Sequence, residues 1–179
     1  MRVFFSIPVP QSVAERLLAL VPPIRGLRRA RSDSIHLTLH FLLNAPADLA
    51  DRLNLTPLPV PFTLTPGKLI LLPESGPVSV VAASIITGTD ALRSLHTTLA
   101  AELTRLALPV DTRKFLPHLT LARANPSLPQ QLRSQSPMVP RDDVSFQVSE
   151  VVLFESRPSP AGAGVEHQPL RMWPLQPVP

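Results

Sequence analysis

The chain has 179 residues, 44% of them hydrophobic, with 17 Lys and Arg against 13 Asp and Glu. That is enough apolar material for one domain with a real core, which excludes global disorder. Cysteine is absent, so disulfides, thiolate catalysis and Cys-ligated metal sites are excluded, and no run approaches the ~20 apolar residues that span a bilayer.

In chain order, Arg2 to Val9 mixes Val, Phe and Ile and reads as a strand. This run is short and stops at proline, which does not suit a secretory leader, so the cytoplasm is the expected compartment. Pro10 suits a first helical turn, Val13, Leu17, Leu18 and Val21 recur at helical spacing, and Pro22-Pro23 stops the helix. A basic loop follows with Arg25, Arg28, Arg29 and Arg31. Ser34 to Leu42 is strand-like, and Pro46 to Leu53 reads as a short helix. Pro61 to Leu72 and Pro77 to Ile86 read as strands joined by a turn at Pro73-Glu74-Ser75-Gly76.

Thr89-Asp90 can cap a long helix whose stripe is Leu92, Leu95, Leu99, Leu103 and Leu106, with His96 on its surface. A strand from Leu116 to Ala124 leads into a Pro- and Gln-rich connection with room for a further helix. Val144 to Ser156 and Gly164 to Leu175 then read as two closing strands, with His167 exposed. Frequent hairpins and an excess of strands predict an α+β fold with antiparallel sheets. No Gly-rich phosphate loop is present. The positive charge is almost all arginine, since only Lys68 and Lys114 are lysines. That favours planar recognition of phosphate or carboxylate, although a preference for arginine codons would give the same composition.

One tetrapeptide occurs twice, as His36-Leu37-Thr38-Leu39 and His118-Leu119-Thr120-Leu121, starting 82 residues apart (118 − 36). The alternation has the period of a half-buried strand, with the leucines facing a core and the His and Thr residues sharing the opposite face. Polar residues on the wet face of a strand are ordinary; histidine at the same place in two like-patterned strands is less so. Imidazole gives or takes a proton near neutral pH, so two of them flanking one phosphorus supply an acid and a base. A threonine two residues along, about 6.6 Å away, could reach a phosphate oxygen. A metal hydrolase using His36, His40 and His118 is the rival from another class. The i,i+4 spacing of His36 and His40 suits a zinc site on a helix, but on a strand they lie about 13 Å apart. His40 is expected at the edge of the groove.

These residues resemble the 2H phosphoesterase superfamily, and within it the RNA 2′,3′-cyclic phosphodiesterase, or 2′-5′ RNA ligase, family. The resemblance runs through Arg2–Pro10, Ile35–Leu42, Pro61–Thr65, Phe115–Arg123 and Val152–Arg157, five segments in the family's order. It implies a single bilobal domain over residues 1–179, with two pseudo-symmetric lobes, each an antiparallel sheet with helices, around a central cleft. It also implies hydrolysis of 2′,3′-cyclic phosphate RNA ends to 2′-phosphomonoesters, with reversible 2′-5′ ligation, no cofactor, no metal, RNA as partner and a monomeric state. Carried over residue by residue, His36 and His118 are catalytic, Thr38 and Thr120 hold phosphate oxygens, and Arg123 contacts phosphate. Phe5 is a candidate for stacking on a base, with a core phenylalanine as the favoured alternative. By analogy His36 is the acid and His118 the base.

Strand parity objects to Arg123, which lies five residues past His118 and should face away unless the strand ends or twists there. The chain departs from the family pattern at His40, where relatives often have lysine, at Leu43 in place of glycine, and at Arg29 in place of tryptophan. Other substrates compatible with the motifs are small cyclic nucleotides and 2′-5′ oligonucleotides. A non-catalytic RNA- or nucleotide-binding module of the same fold is the remaining alternative.

Overall fold

The computed structural model describes residues 1–125, 144–159 and 164–175. Its elements, in chain order, are β1 (Val3–Pro8), α1 (Gln11–Ala19), β2 (Leu27–Arg29), a 3-10 turn (Ser32–Ser34), β3 (His36–Leu42), α2 (Leu49–Arg52), β4 (Phe62–Leu72), β5 (Val80–Thr87), α3 (Thr89–Arg105), β6 (His118–Ala124), β7 (Phe146–Val148), β8 (Glu150–Pro158) and β9 (Val165–Pro174). The further helix expected in the Pro- and Gln-rich connection falls outside the described residues. Among the described residues, no helix is long and apolar enough to cross a membrane.

The strands form one antiparallel sheet in the order β7-β4-β5-β6-β3-β1-β8-β9, with β2 added onto β6. The fold is α+β, as the sequence implies. Two quartets meet at the centre: β3-β1-β8-β9 on one side and β6-β5-β4-β7 on the other. Each central strand follows a strand–helix unit, β1-α1 for β3 and β5-α3 for β6, so the halves repeat one another about the β3–β6 seam. Across that seam Leu37 pairs with Leu119, antiparallel. Both side chains are fully buried.

The helices cover the core face through Val13, Ala14 and Leu17 of α1 and Leu92, Leu95, Leu99 and Leu103 of α3. The cap of α3 is not Thr89 but Gly88, at φ 82°, and it makes no side-chain cap hydrogen bond. A Cβ there would sit 2.7 Å from the Thr63 carbonyl oxygen, so both the left-handed backbone and the close approach require glycine.

Two expectations are corrected. The basic loop contains a short strand, β2, whose exposed arginines carry no alternation that would announce it. The single strand expected over Val144–Ser156 is two strands on different parts of the sheet: β7 pairs with β4, and β8 with β1 and β9. Only Ser149 separates them, so the sheet curls until its two ends meet there. The buried positions record the break: Val144, Phe146 and Val148 alternate with more exposed residues, whereas Val151, Val152 and Leu153 are buried in succession.

Irregularities in the sheet decide what faces the cleft. Against β1, β3 pairs Thr38 with Ser6 and His40 with Phe5, leaving Leu39 as an extra residue. Against β5, β6 pairs Thr120 with Ala82 and Ala122 with Val81, leaving Leu121 extra. Each motif thus carries a β-bulge three residues after its histidine, and the inward–outward alternation resets beyond it. The burial of the two strands shows the reset, with adjacent buried residues at Leu39-His40 and Leu121-Ala122 and an exposed residue next at Phe41 and Arg123. Truncation at the seam, Leu119→Ala, is expected to lower unfolding stability in urea by about 2–5 kcal/mol, because it opens a cavity where both halves meet; a change under about 0.5 kcal/mol would show that the seam is not a packed core.

Candidate active site

A cleft of about 460 Å³ lies over the seam, lined by His36, Thr38, His118, Thr120 and Arg123. Continuing the Leu37–Leu119 register by one residue each way sets His36 opposite Thr120 and His118 opposite Thr38. The two histidines are then diagonal neighbours, about 7–8 Å apart on the strand pair. That separation leaves room for one tetrahedral centre between the rings.

Both rings are tethered in the same way. His36 Nδ1 lies 2.8 Å from the Ser34 carbonyl oxygen, and His118 Nδ1 lies 2.8 Å from that of Leu116. A carbonyl only accepts, so each Nδ1 carries the hydrogen and each Nε2 is left with its lone pair or a second proton. The bonds reach two residues back in the chain in both motifs, and they fix the tautomer without spending a side chain. Burial pushes the His36 imidazole down to about 4, against the Ser34 bond, which raises it; the nearby His167, Arg123 and His118 lower it further. His36 is therefore neutral throughout the physiological range.

The desolvation has a visible source. The Phe4 ring stacks on His36 with centroids 4.7 Å apart and planes at 27°. Phe4 is itself wedged against Phe154 at 5.5 Å, Phe41 at 6.4 Å and His167 at 4.8 Å. It is only 2% exposed, so it is a floor beneath the histidine and not a platform for a ligand.

Phe5, the sequence candidate for base stacking, is not in the cleft. It points to the core face with no exposure, 6.2 Å from Trp173. Parity along β1 explains this, since Phe4 and Phe5 must face opposite sides. The accessible ring of the cleft is Phe41, 41% exposed, with the Arg2 guanidinium 5.6 Å above it. The parity objection to Arg123 is answered by the bulge at Leu121, which returns that side chain to the cleft.

His40 is corrected as well. The bulge at Leu39 sends it to the core face, where it is 3% exposed, with Nε2 2.9 Å from the His96 carbonyl oxygen. Its ring stacks on His96 at 4.0 Å, and His96 stacks on Phe115 at 4.3 Å. The set His36, His40 and His118 thus does not converge, and among the described residues no group of three or more potential ligands is disposed to hold a metal ion.

His167 is the residue that sequence reasoning missed. It lies on β9 opposite Ser156, lines the cleft, and sits edge-on to His36 at 5.4 Å. Burial lowers its pKa. Nothing in its local sequence, Val165-Glu166-His167-Gln168, marks it. Only the strand order brings β9 back along β8 to the first motif.

The sequence profile of the 2′-5′ RNA ligase superfamily matches residues 9–159. No curated protein matches the chain. Among solved structures, TT0787 of Thermus thermophilus superposes with a TM-score of 0.82 at 25% identity, covering 99% of each chain. E. coli LigT complexed with 3′-AMP superposes at 0.76 and 26% identity over 97% of each chain. LigT complexed with NADP+ does so at 0.75 and 26% over the same shares. With both His-x-Thr words facing one cleft across a pseudo-symmetric sheet, the chain belongs to the 2′-5′ RNA ligase superfamily, the 2H phosphoesterases.

Proposed function

We propose that the chain is an RNA 2′,3′-cyclic phosphodiesterase that opens the cyclic phosphate to a 2′-phosphomonoester by metal-independent acid/base catalysis, residues 1–179 acting as one bilobal, monomeric, cytoplasmic unit. The observation that carries the reading is the pair of identically tethered imidazoles set diagonally across the seam, each opposite the other motif's threonine. Two groups able to pass protons and two hydroxyls around one centre are what in-line displacement at phosphorus requires. The LigT structures with 3′-AMP and NADP+ support a nucleotide-sized ligand in this cleft.

Water attacks phosphorus opposite O3′, forming the new P–O bond as the P–O3′ bond breaks and leaving the phosphate on O2′. A base takes the water proton and an acid delivers one to O3′. The neutrality of His36 fits the base, because its Nε2 lone pair is free at any pH above about 4. His118 is then the acid, the reverse of the assignment reached by analogy. Thr38 and Thr120 donate to the non-bridging oxygens, and Arg123 adds positive charge on the same wall. In the reverse direction, a 5′-hydroxyl RNA end replaces water.

His36→Ala and His118→Ala are each expected to lower kcat on 2′,3′-cyclic-phosphate RNA by about 10²–10⁴-fold, with a 2′-phosphate as the wild-type product and turnover unaffected by chelator. A 3′-phosphate product, or activity that chelation abolishes, would overturn the reading; nucleotide binding with no turnover would make the chain a binding module.

An NMR titration should place the His36 midpoint near 4. The unfolded chain binds that proton at the ordinary value of 6.5, so the stability His36 contributes is complete above 6.5 and is lost as pH falls toward 4. His36→Gln should flatten that part of the stability profile. A midpoint at or above 6.5 would remove the argument for His36 as the base.

A further inference from the structure

The two halves of the cleft differ in one respect that their symmetry highlights. The positions immediately after the two bulges are Phe41 and Arg123, so one wall ends in a ring and the other in a guanidinium. Five arginines line the cleft: Arg2, Arg28, Arg29, Arg31 and Arg123. Three are engaged within the protein. Arg29 donates to the Val21 carbonyl oxygen, Arg31 pairs with Asp33, and Arg2 lies over Phe41.

The remaining two are direct cross-strand partners, Arg28 on β2 against Arg123 on β6. Among the described residues, neither has a carboxylate within ion-pair distance. Like charges placed directly opposite on an antiparallel pair repel, and β2 is held by only three such partnerships. An anion bound between the two planar forks converts the repulsion into paired charge-assisted hydrogen bonds. Arg25, in the same basic stretch, does not line the cleft, so the feature is a pair and not a diffuse basic loop.

Resting on the reading of the cleft as a cyclic phosphodiesterase site, we propose that Arg28 and Arg123 form a second phosphate subsite, which takes the phosphodiester on the 5′ side of the terminal nucleotide. Allowing for the extra residue at Leu121, Arg123 lies about 13 Å along β6 from His118. With both guanidinium groups reaching back over the cleft, that offset suits a neighbouring phosphate along an RNA strand. The preferred substrate class is therefore an oligonucleotide end and not a free cyclic mononucleotide.

The test compares a nucleoside 2′,3′-cyclic phosphate with the same compound carrying a 5′-phosphate. Wild type is expected to show kcat/KM about 10-fold or more higher for the 5′-phosphorylated substrate. Arg28→Gln should lose most of that gain while leaving the rate on the bare cyclic phosphate unchanged, and Arg28→Lys should recover only part of it. On cyclic-phosphate RNA, Arg28→Gln should also reduce the salt slope of binding by about 0.7. Equal kcat/KM for the two substrates in wild type, or an equal loss on both in Arg28→Gln, would overturn the subsite. Equilibrium binding of a nucleoside 2′-phosphate against its 2′,5′-bisphosphate separates this from failure of the catalytic reading. A 5′-phosphate preference that needs Arg28 supports the subsite even if neither cyclic compound turns over, and no preference refutes it.

Discussion

The cleft depends on the packing of Leu37 against Leu119. These fully buried side chains hold the two central strands in one register. A slip of one residue between them would turn one motif's histidine and threonine into the core and expose its leucines. Burying those leucines is worth a few kcal/mol, whereas burying an unpaired imidazole and a hydroxyl costs free energy in the opposite direction. Register, and hence the meeting of the motifs, is therefore enforced by a hydrophobic contact and not by any bond between the polar groups themselves.

The paired bulges extend what that register can do. A regular strand offers the cleft residues 36, 38 and 40 from one side and 118, 120 and 122 from the other. The extra residues at Leu39 and Leu121 reset the alternation, so that His40 is withdrawn from the cleft and Phe41 and Arg123 line it. His40, which would have brought a third titratable ring to the first motif, is moved behind the sheet to hydrogen-bond α3 through the His96 carbonyl. The bulge removes one histidine from the cleft and gives it a structural task. The strand order supplies another, His167, from the end of the chain.

Much of the scaffold was legible because it depends on local periodicity. The Leu92–Leu103 stripe, the Val13–Leu17 spacing and the His-Leu-Thr-Leu alternation each report a buried face directly. What was hidden depends on non-local pairing. No residue type at Leu39 or Leu121 distinguishes a bulge from a continuing strand, so the place of Arg123 and the withdrawal of His40 could not be read. Phe4 and Phe5 are chemically the same, and only the direction of β1 in the sheet decides which one supports His36. The short β2 exists because β6 offers it an edge. The change from the alternation of Val144, Phe146 and Val148 to the unbroken apolar run Val151–Phe154 was a readable sign that one apparent strand is two.

The likeness of the two motifs conceals an unlikeness in their surroundings, one that the proposed acid/base pairing requires. An acid and a base at one phosphorus must hold different numbers of protons at the same pH, and two histidines with identical backbone tethers would not do so unaided. The two rings differ in what lies beneath them. His36 rests on Phe4, which is sealed by Phe41, Phe154 and His167, so charge on His36 is poorly solvated. His118 stands at the more open edge of its strand, with its Nδ1 bond in an exposed setting. The aromatic floor belongs to one lobe only, because β1, β8 and β9 supply its rings and the other lobe places β5, β4 and β7 at the equivalent positions. The pseudo-twofold thus delivers two equivalent imidazoles to one cleft, and the side chains that break it give them different environments.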